Sequence, residues 1–363
     1  MTRQRFQYLE ILAVLLVTLA VVAAGVHAGA SMDASAPATK VAPGPSGYHL
    51  LKKIALGGEG GWDALAFDSA SRRLFISRQT KVIVLNVDSE KVVGEISNTE
   101  GVHDIDLAPD LNRGFTSNGR AGTVTIFDLK TLAIIGSAQA GTNPDAIVYD
   151  PASKRVFAMN GRSSNSTAID AATGNVVATI PLGGKPEFAV ADGAGHVYVN
   201  IEDKSELQQI DSQKLAVTAS WPLSPCQEPS GLAIDAAHHR LFAGCDNKIM
   251  AVVDAATGKV IATPAIGEGV DGSAFDPGTG FAFASNGQSA TLSVIHEDSP
   301  DKFSVIEEVP TQKGARTITL DPKTHEVYLV TADFGPRPAP TPENQHPRPP
   351  ILPNSFVVLV YGR

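Results

Sequence analysis

The sequence predicts an all-β chain of seven repeated units, on three observations. An aromatic residue returns at a nearly constant interval, short β-branched runs alternate with turn residues, and the last unit lacks a strand that the N-terminal region can supply. The aromatic anchors are Phe75, Phe115, Phe157, Tyr198, Phe242, Phe283 and Tyr328, set in runs such as Arg73-Leu74-Phe75-Ile76 and Arg155-Val156-Phe157-Ala158. Their spacings of 40, 42, 41, 44, 41 and 45 residues match a four-stranded propeller blade and exceed the ~34 residues of a common helical repeat. Seven anchors therefore predict a seven-bladed β-propeller with four-stranded antiparallel blades.

The third unit shows the pattern within a blade. Residues 145–150 read as the inner strand, 156–160 as the second, 166–170 as the third and 176–180 as the outer strand. Pro151-Ala152-Ser153-Lys154 and Ala171-Ala172-Thr173-Gly174 supply turns between them, as antiparallel hairpins require. The Asp-x-x-Thr-Gly turn at 170–174 returns at 254–258, and its aspartates are expected to be structural. No stretch after the N-terminal region carries a 3.6-residue apolar stripe, so almost no helix is expected. In the last unit, strands at 315–320, 327–331 and 356–361 are followed only by the chain end. Residues 50–58 match the outer strand of the third unit, 176–184, position for position. An N-terminal strand is thus expected to pair into the last blade and close the ring, which removes a free seam.

Arg3 and Arg5 precede an apolar run over 11–26 that ends in small residues, the pattern of a secretory signal peptide over 1–28. An uncleaved anchor is the other reading of this segment, and only through it would the chain meet a membrane. Residues 29–47, rich in Pro, Ala and Ser, are expected to form a flexible tether, and 48–363 a single propeller domain. A periplasmic or secreted location follows. The balance of 29 Lys+Arg against 38 Asp+Glu gives a net charge of −9, which argues against a nucleic-acid partner, because affinity for phosphates needs basic groups.

The repeats resemble the YVTN-repeat seven-bladed propellers, the YncE-like exported bacterial proteins. The likeness covers roughly residues 48–363. It is carried by Gly141-Thr142-Asn143-Pro144 and Gly183-Gly184-Lys185-Pro186 before inner strands, by the Asp150-Pro151, Asp276-Pro277 and Asp321-Pro322 turns, and by strands such as Val197-Tyr198-Val199-Asn200. The resemblance implies the fold and an exported location, and it leaves the activity open, since propellers host many functions.

In a propeller the loops entering the inner strands and those leaving the second strands share one rim around the central channel. Aligning the units places Asp63, His103, Asp145, Glu187, Ser230, Asp271 and Arg316 at the start of the seven inner strands. This ring suggests a ligand-binding rim, and its oxygens with an imidazole make Asp63, His103, Asp145 and Asp271 candidate ligands of a divalent cation. The same groups read equally as turn acceptors or solvated side chains, with Arg316 offsetting charge. The exits Asn118-Gly119-Arg120, Asn160-Gly161-Arg162 and Asn286-Gly287-Gln288 add polar groups. Their Asn-Gly pairs suggest turns with positive φ, whereas Arg120 and Arg162 suit an anionic ligand or the acidic ring. Cys226 and Cys245 fall on the same rim, and two cysteines in an exported chain favour a disulfide. The Pro-rich stretch at 335–354 also leaves a second strand and is expected over the channel mouth, as a lid, a partner epitope or a surface insertion.

No nucleophile elbow, HExxH, Walker loop or CxxCH occurs. Two function classes remain. One is an exported binding or scaffold propeller whose channel rim recognises a small molecule, a cell-envelope component or a protein. The other is a metal- or cofactor-dependent enzyme, lactonase-like, lyase-like or a dehydrogenase subunit.

Overall fold

The computed structural model describes residues 44–341, 345 and 347–363. The expected signal peptide and residues 29–43 of the tether lie outside the described residues. Seven four-stranded antiparallel sheets form a ring, here numbered blades I to VII in chain order. Blade III has strands Pro144–Asp150, Arg155–Asn160, Asn165–Asp170 and Val176–Pro181, close to the expected bounds. Among the described residues the helical content is two single 3-10 turns, Pro109–Leu111 and Glu202–Lys204.

Ring closure follows the expected pairing. Blade VII takes Ile318–Asp321, Glu326–Thr331 and Val357–Gly362 from the C-terminal region and His49–Ala55 as its outer strand. The last pairing is antiparallel, with Ile54 opposite Val358 and Leu50 opposite Tyr361. The ring also begins earlier than expected. Ser46 is buried and donates from N and Oγ to Glu307 Oε2 at 3.1 and 2.6 Å, so the end of the expected tether is held against blade VI.

The core is divided among the blade interfaces. Second strands are buried on both faces, and alternate residues therefore serve different neighbours. Phe75 packs between blades I and II, Phe115 between II and III, Phe157 between III and IV and Tyr198 between IV and V. Phe242, Phe283 and Tyr328 continue the series around to blade I. Each repeat thus contributes its one large anchor to the interface with the next blade. The arginines that open second strands brace the same joints. Arg73 donates to Leu129 O at 2.5 Å, Arg113 to Ala171 O at 2.9 Å and Arg240 to Pro300 O at 2.5 Å, each on the next blade.

The repeated aspartate turns are structural, as expected. Asp170 Oδ1 accepts from the backbone of Ala172 and Thr173 and from Thr173 Oγ1 at 3.1, 2.7 and 2.9 Å. Gly174 sits at φ 77, a conformation that a side chain would strain.

Cys226 and Cys245 form a disulfide with Cα atoms 5.6 Å apart. It is buried at the rim end of blade V, beside the pairing of Pro229 with Cys245.

Phe157→Ala is expected to cost about 3–5 kcal/mol in chemical denaturation. Val177→Ala, on an exposed outer strand, should stay within about 0.5 kcal/mol; equal costs would contradict the interface account. Replacing both cysteines by serine opens a loop of sequence separation 19 and should lower stability by about 3 kcal/mol, read as a lower urea midpoint that reductant does not lower further.

Candidate functional site

The expected ring exists, and a register shift helps to build it. In blades II to VI the inner strand slips against the second strand near its start, between Val102 and Ile105, Pro144 and Ile147, Pro186 and Ala189, Pro229 and Leu232, and Val270 and Gly272. Such a bulge frees residues from the ladder and re-aims their side chains. His103, Asp145, Glu187, Ser230 and Asp271 lie at these slips. Small polar groups then fix the ring backbone from the neighbouring blade. Ser117 Oγ donates to Asp145 O, Asn200 Nδ2 to Ser230 O at 2.9 Å, Ser285 Oγ to Arg316 O and Thr317 Oγ1 to Asp63 O at 2.7 Å.

The ring side chains link into a belt. His103 Nδ1 lies 2.7 Å from Asp63 Oδ2 and 3.6 Å from Asp145 Oδ1. Arg316 donates from Nη2 to Asp63 Oδ1 at 2.9 Å and from Nε to Asp271, and Ser230 Oγ donates to Asp271 Oδ1 at 2.9 Å. Six blades are joined in this way. In blade IV, Glu187 pairs instead with Lys185, at 2.7 Å, which also binds Glu202.

The electrostatics follow from this linkage. The hydrogen bond to Asp63 raises His103 from 6.5 to about 9, overcoming the opposing effect of burial, and Asp145 adds to the rise. Burial raises Asp145 to about 6, while His103 partly offsets it. Burial and then the Asp145 charge push Glu187 well above the usual carboxyl range. Burial disfavours the Arg316 charge, but Asp271 and Asp63 outweigh it. His103, Arg316 and Lys185 thus face five carboxyl groups, those of Asp63, Asp145, Asp271, Glu187 and Glu202, one of which, Glu187, tends to hold its proton. The ring is close to self-neutralised.

Two cavities meet at this belt. A narrow one of about 150 Å³ is lined by the ring residues Asp63, His103, Asp145, Glu187, Asp271 and Arg316. A wider basin of about 570 Å³ shares Asp63, His103 and Arg316 and adds Arg120, Arg162 and Arg348. Arg348 comes from the Pro-rich stretch, whose base is a short antiparallel arm with Phe334 opposite Ile351. Trp62, another basin residue, packs that arm against blade I, with its ring 6.1 Å from Phe334 and 5.2 Å from Phe356. Among the described residues Arg120, Arg162 and Arg348 are exposed and take part in no ion pair.

The asparagines expected on the rim are placed otherwise. Asn118, Asn160 and Asn286 are fully buried. Asn118 Nδ2 donates to Thr125 Oγ1 at 2.8 Å, Asn160 Nδ2 to Thr167 Oγ1 at 2.9 Å and Asn286 Nδ2 to Ser293 Oγ at 2.8 Å. They tie second strands to third strands and do not face a ligand. Their glycines are also not there for positive φ, because none of the three Asn-Gly pairs adopts it. A Cβ at Gly119 would lie 2.6 Å from the His103 ring, and one at Gly287 would lie 2.8 Å from Arg316 Cβ. These glycines give the ring residues room.

Several residues escaped the sequence reading. Asp104, buried beside the narrow cavity, accepts from Ile147 N at 3.0 Å, and Asp106 accepts from Tyr149 N at 2.6 Å. They clamp the inner strands of blades II and III together. Burial raises both, Asp104 well above its usual range and Asp106 to about 6. Two carboxyl groups in the apolar run His103-Asp104-Ile105-Asp106-Leu107 were the available signal. Arg78 is buried with its guanidinium 3.8 Å from the Phe356 ring centroid. Nη2 donates to Glu59 O at 2.7 Å, Nε and Nη1 have no hydrogen-bond partner among the described residues, and burial lowers its pKa to about 10.

No protein-family model matches the chain, and no curated protein matches its sequence. Solved structures match its fold. Kuenenia stuttgartiensis hydrazine synthase gives a TM-score of 0.65 at 16% identity, covering 76% of this chain and 94% of that one. The RRP9 WD40 repeats give 0.69 at 10%, covering 88% and 98%. A chain of the mitotic checkpoint complex gives 0.67 at 15%, covering 86% and 96%. The protein is a seven-bladed β-propeller with a polar channel mouth. Propellers of this architecture are commonly binding or scaffold modules.

Because the folded-state pKa of His103, about 9, lies above 6.5, its contribution to stability is full below pH 6.5 and is lost as pH rises through 9. The unfolding free energy of the wild type should exceed that of His103→Gln by on the order of 1–2 kcal/mol at pH 6, allowing for solvent screening. The difference should shrink above pH 9, and a pH-independent difference would contradict the ion-pair geometry.

Proposed function

We propose that the protein is an exported binding propeller whose channel mouth takes a small anionic molecule. The observation that supports this most is the charge arrangement: the ring below is nearly neutralised by its own pairs, whereas Arg120, Arg162 and Arg348 converge on the basin without ion-pair partners among the described residues. Guanidinium groups bind carboxylates and phosphates through paired N–H donors, and three of them in one basin favour a compact anion over a flat surface contact. Trp62 and Gln79, which line the same basin, offer an apolar wall and an amide for the rest of the ligand. Export is supported by the Cys226–Cys245 disulfide and by the resemblance of the repeats to YVTN-repeat propellers. Among the described residues no helix is long and apolar enough to cross a membrane.

A metal-dependent reading has one observation in its favour, since ligand atoms of Asp63, His103 and Asp145 lie within 4.8 Å of one another. The imidazole nitrogen Nδ1 of His103, however, is already engaged by the Asp63 carboxylate at 2.7 Å.

Thermal-shift titration with inorganic phosphate, citrate and glucuronate tests the proposal. At least one of these anions should raise the unfolding midpoint. Arg120→Ala with Arg162→Ala should weaken that anion roughly a hundredfold, at about 1.5 kcal/mol for each charged hydrogen bond lost. Equal response in wild type and double variant, or response to none of the anions, would overturn it.

A further inference from the structure

We propose that Asp235, His238 and Glu297 form a zinc-binding site on the face of the ring opposite the channel mouth. Asp235 ends the inner strand Pro229–Asp235 of blade V, whose other end carries the ring residue Ser230. His238 lies in the turn that follows, and Glu297 lies near the end of Thr291–Ser299 in blade VI. The three residues bridge two blades, and one ligand atom from each lies within 4.8 Å of the others.

The buried glutamate makes this more than an acidic cluster. The Glu297 side chain is 3% exposed and that of Asp235 is 4% exposed, yet among the described residues neither oxygen of Glu297 accepts a hydrogen bond. Its Oε1 is 3.0 Å from His238 Nδ1, but the same nitrogen lies 2.5 Å from Asp235 Oδ2. One nitrogen carries at most one proton, so it cannot donate well to both. Arg240, the nearby cation, is engaged by Asp254 at 2.9 Å and Asp301 at 3.0 Å.

A divalent ion relieves this shortage by accepting a lone pair from each of the three groups. One imidazole nitrogen with two carboxylate oxygens is a donor set that zinc accepts, with water completing its coordination. His238 is half exposed and opens the site to solvent. Asp235 is already aligned, since its Oδ1 accepts from Ala237 N at 3.0 Å. The ion would join blade V to blade VI, so zinc should stabilise the ring as well as bind it.

The test is calorimetric titration of chelator-treated full chain with zinc alone, in a His103→Gln background that removes the rim imidazole. One saturable site is expected, with affinity reduced at least tenfold by Glu297→Gln and by His238→Ala. Metal-free Glu297→Gln should unfold no earlier than its parent, because it removes a buried like charge, and zinc should raise the parent's midpoint without raising that of the variant. Lack of saturable binding in the parent, or unchanged affinity in both variants, would overturn the proposal.

Discussion

The packing of one aromatic side chain per repeat into the joint with the next blade is the interaction on which this molecule depends. A single four-stranded sheet has two faces to cover and cannot cover either alone. Phe75, Phe115, Phe157, Tyr198, Phe242, Phe283 and Tyr328 solve this identically seven times, so the core is a ring of equivalent joints. Everything at the channel mouth inherits its placement from that angular repetition. Asp63, His103, Asp145, Asp271 and Arg316 approach each other because each stands at a corresponding point of its blade.

Much of this was legible in the sequence. The period revealed the blade number, and the match of residues 50–58 to 176–184 revealed the closing strand, because both are patterns along one chain. Membership of the ring could be read for the same reason. What could not be read depends on how neighbouring blades approach. The Asn-Gly pairs look like turns in sequence, yet Gly119 and Gly287 are small because His103 and Arg316 pass close by. Asn118, Asn160 and Asn286 look like rim groups but turn into their own blades, where buried hydroxyls meet them. Asp104 and Asp106 accept from backbone amides of blade III; two carboxyl groups in one inner strand mark them as unusual, but the strand alone does not say which amides donate to them.

The mouth combines two electrostatic layers with different properties. The lower layer is a hydrogen-bonded belt of opposite charges, rigid and nearly self-satisfied, in which each group sets its neighbour's affinity for protons. The upper layer is a set of exposed guanidinium groups on second-strand exits and the Pro-rich arm, without ion-pair partners among the described residues. Preorganised neutral walls beneath unpaired charge avoid the cost of breaking existing pairs when a ligand arrives.

The closing pair has a consequence for how the chain reaches this state. His49 stands opposite Gly362, so blade VII unites two segments that lie far apart along the chain. Six blades can assemble from segments close in sequence, but the seventh needs Val357–Gly362, which is synthesised long after the His49–Ala55 strand it pairs with. Joining such distant segments carries a large loop-closure entropy and slows the final step. Until then the exposed edge of Val357–Gly362 is an open template for another chain, and the interval between synthesis and closure is when this protein is most vulnerable to aggregation.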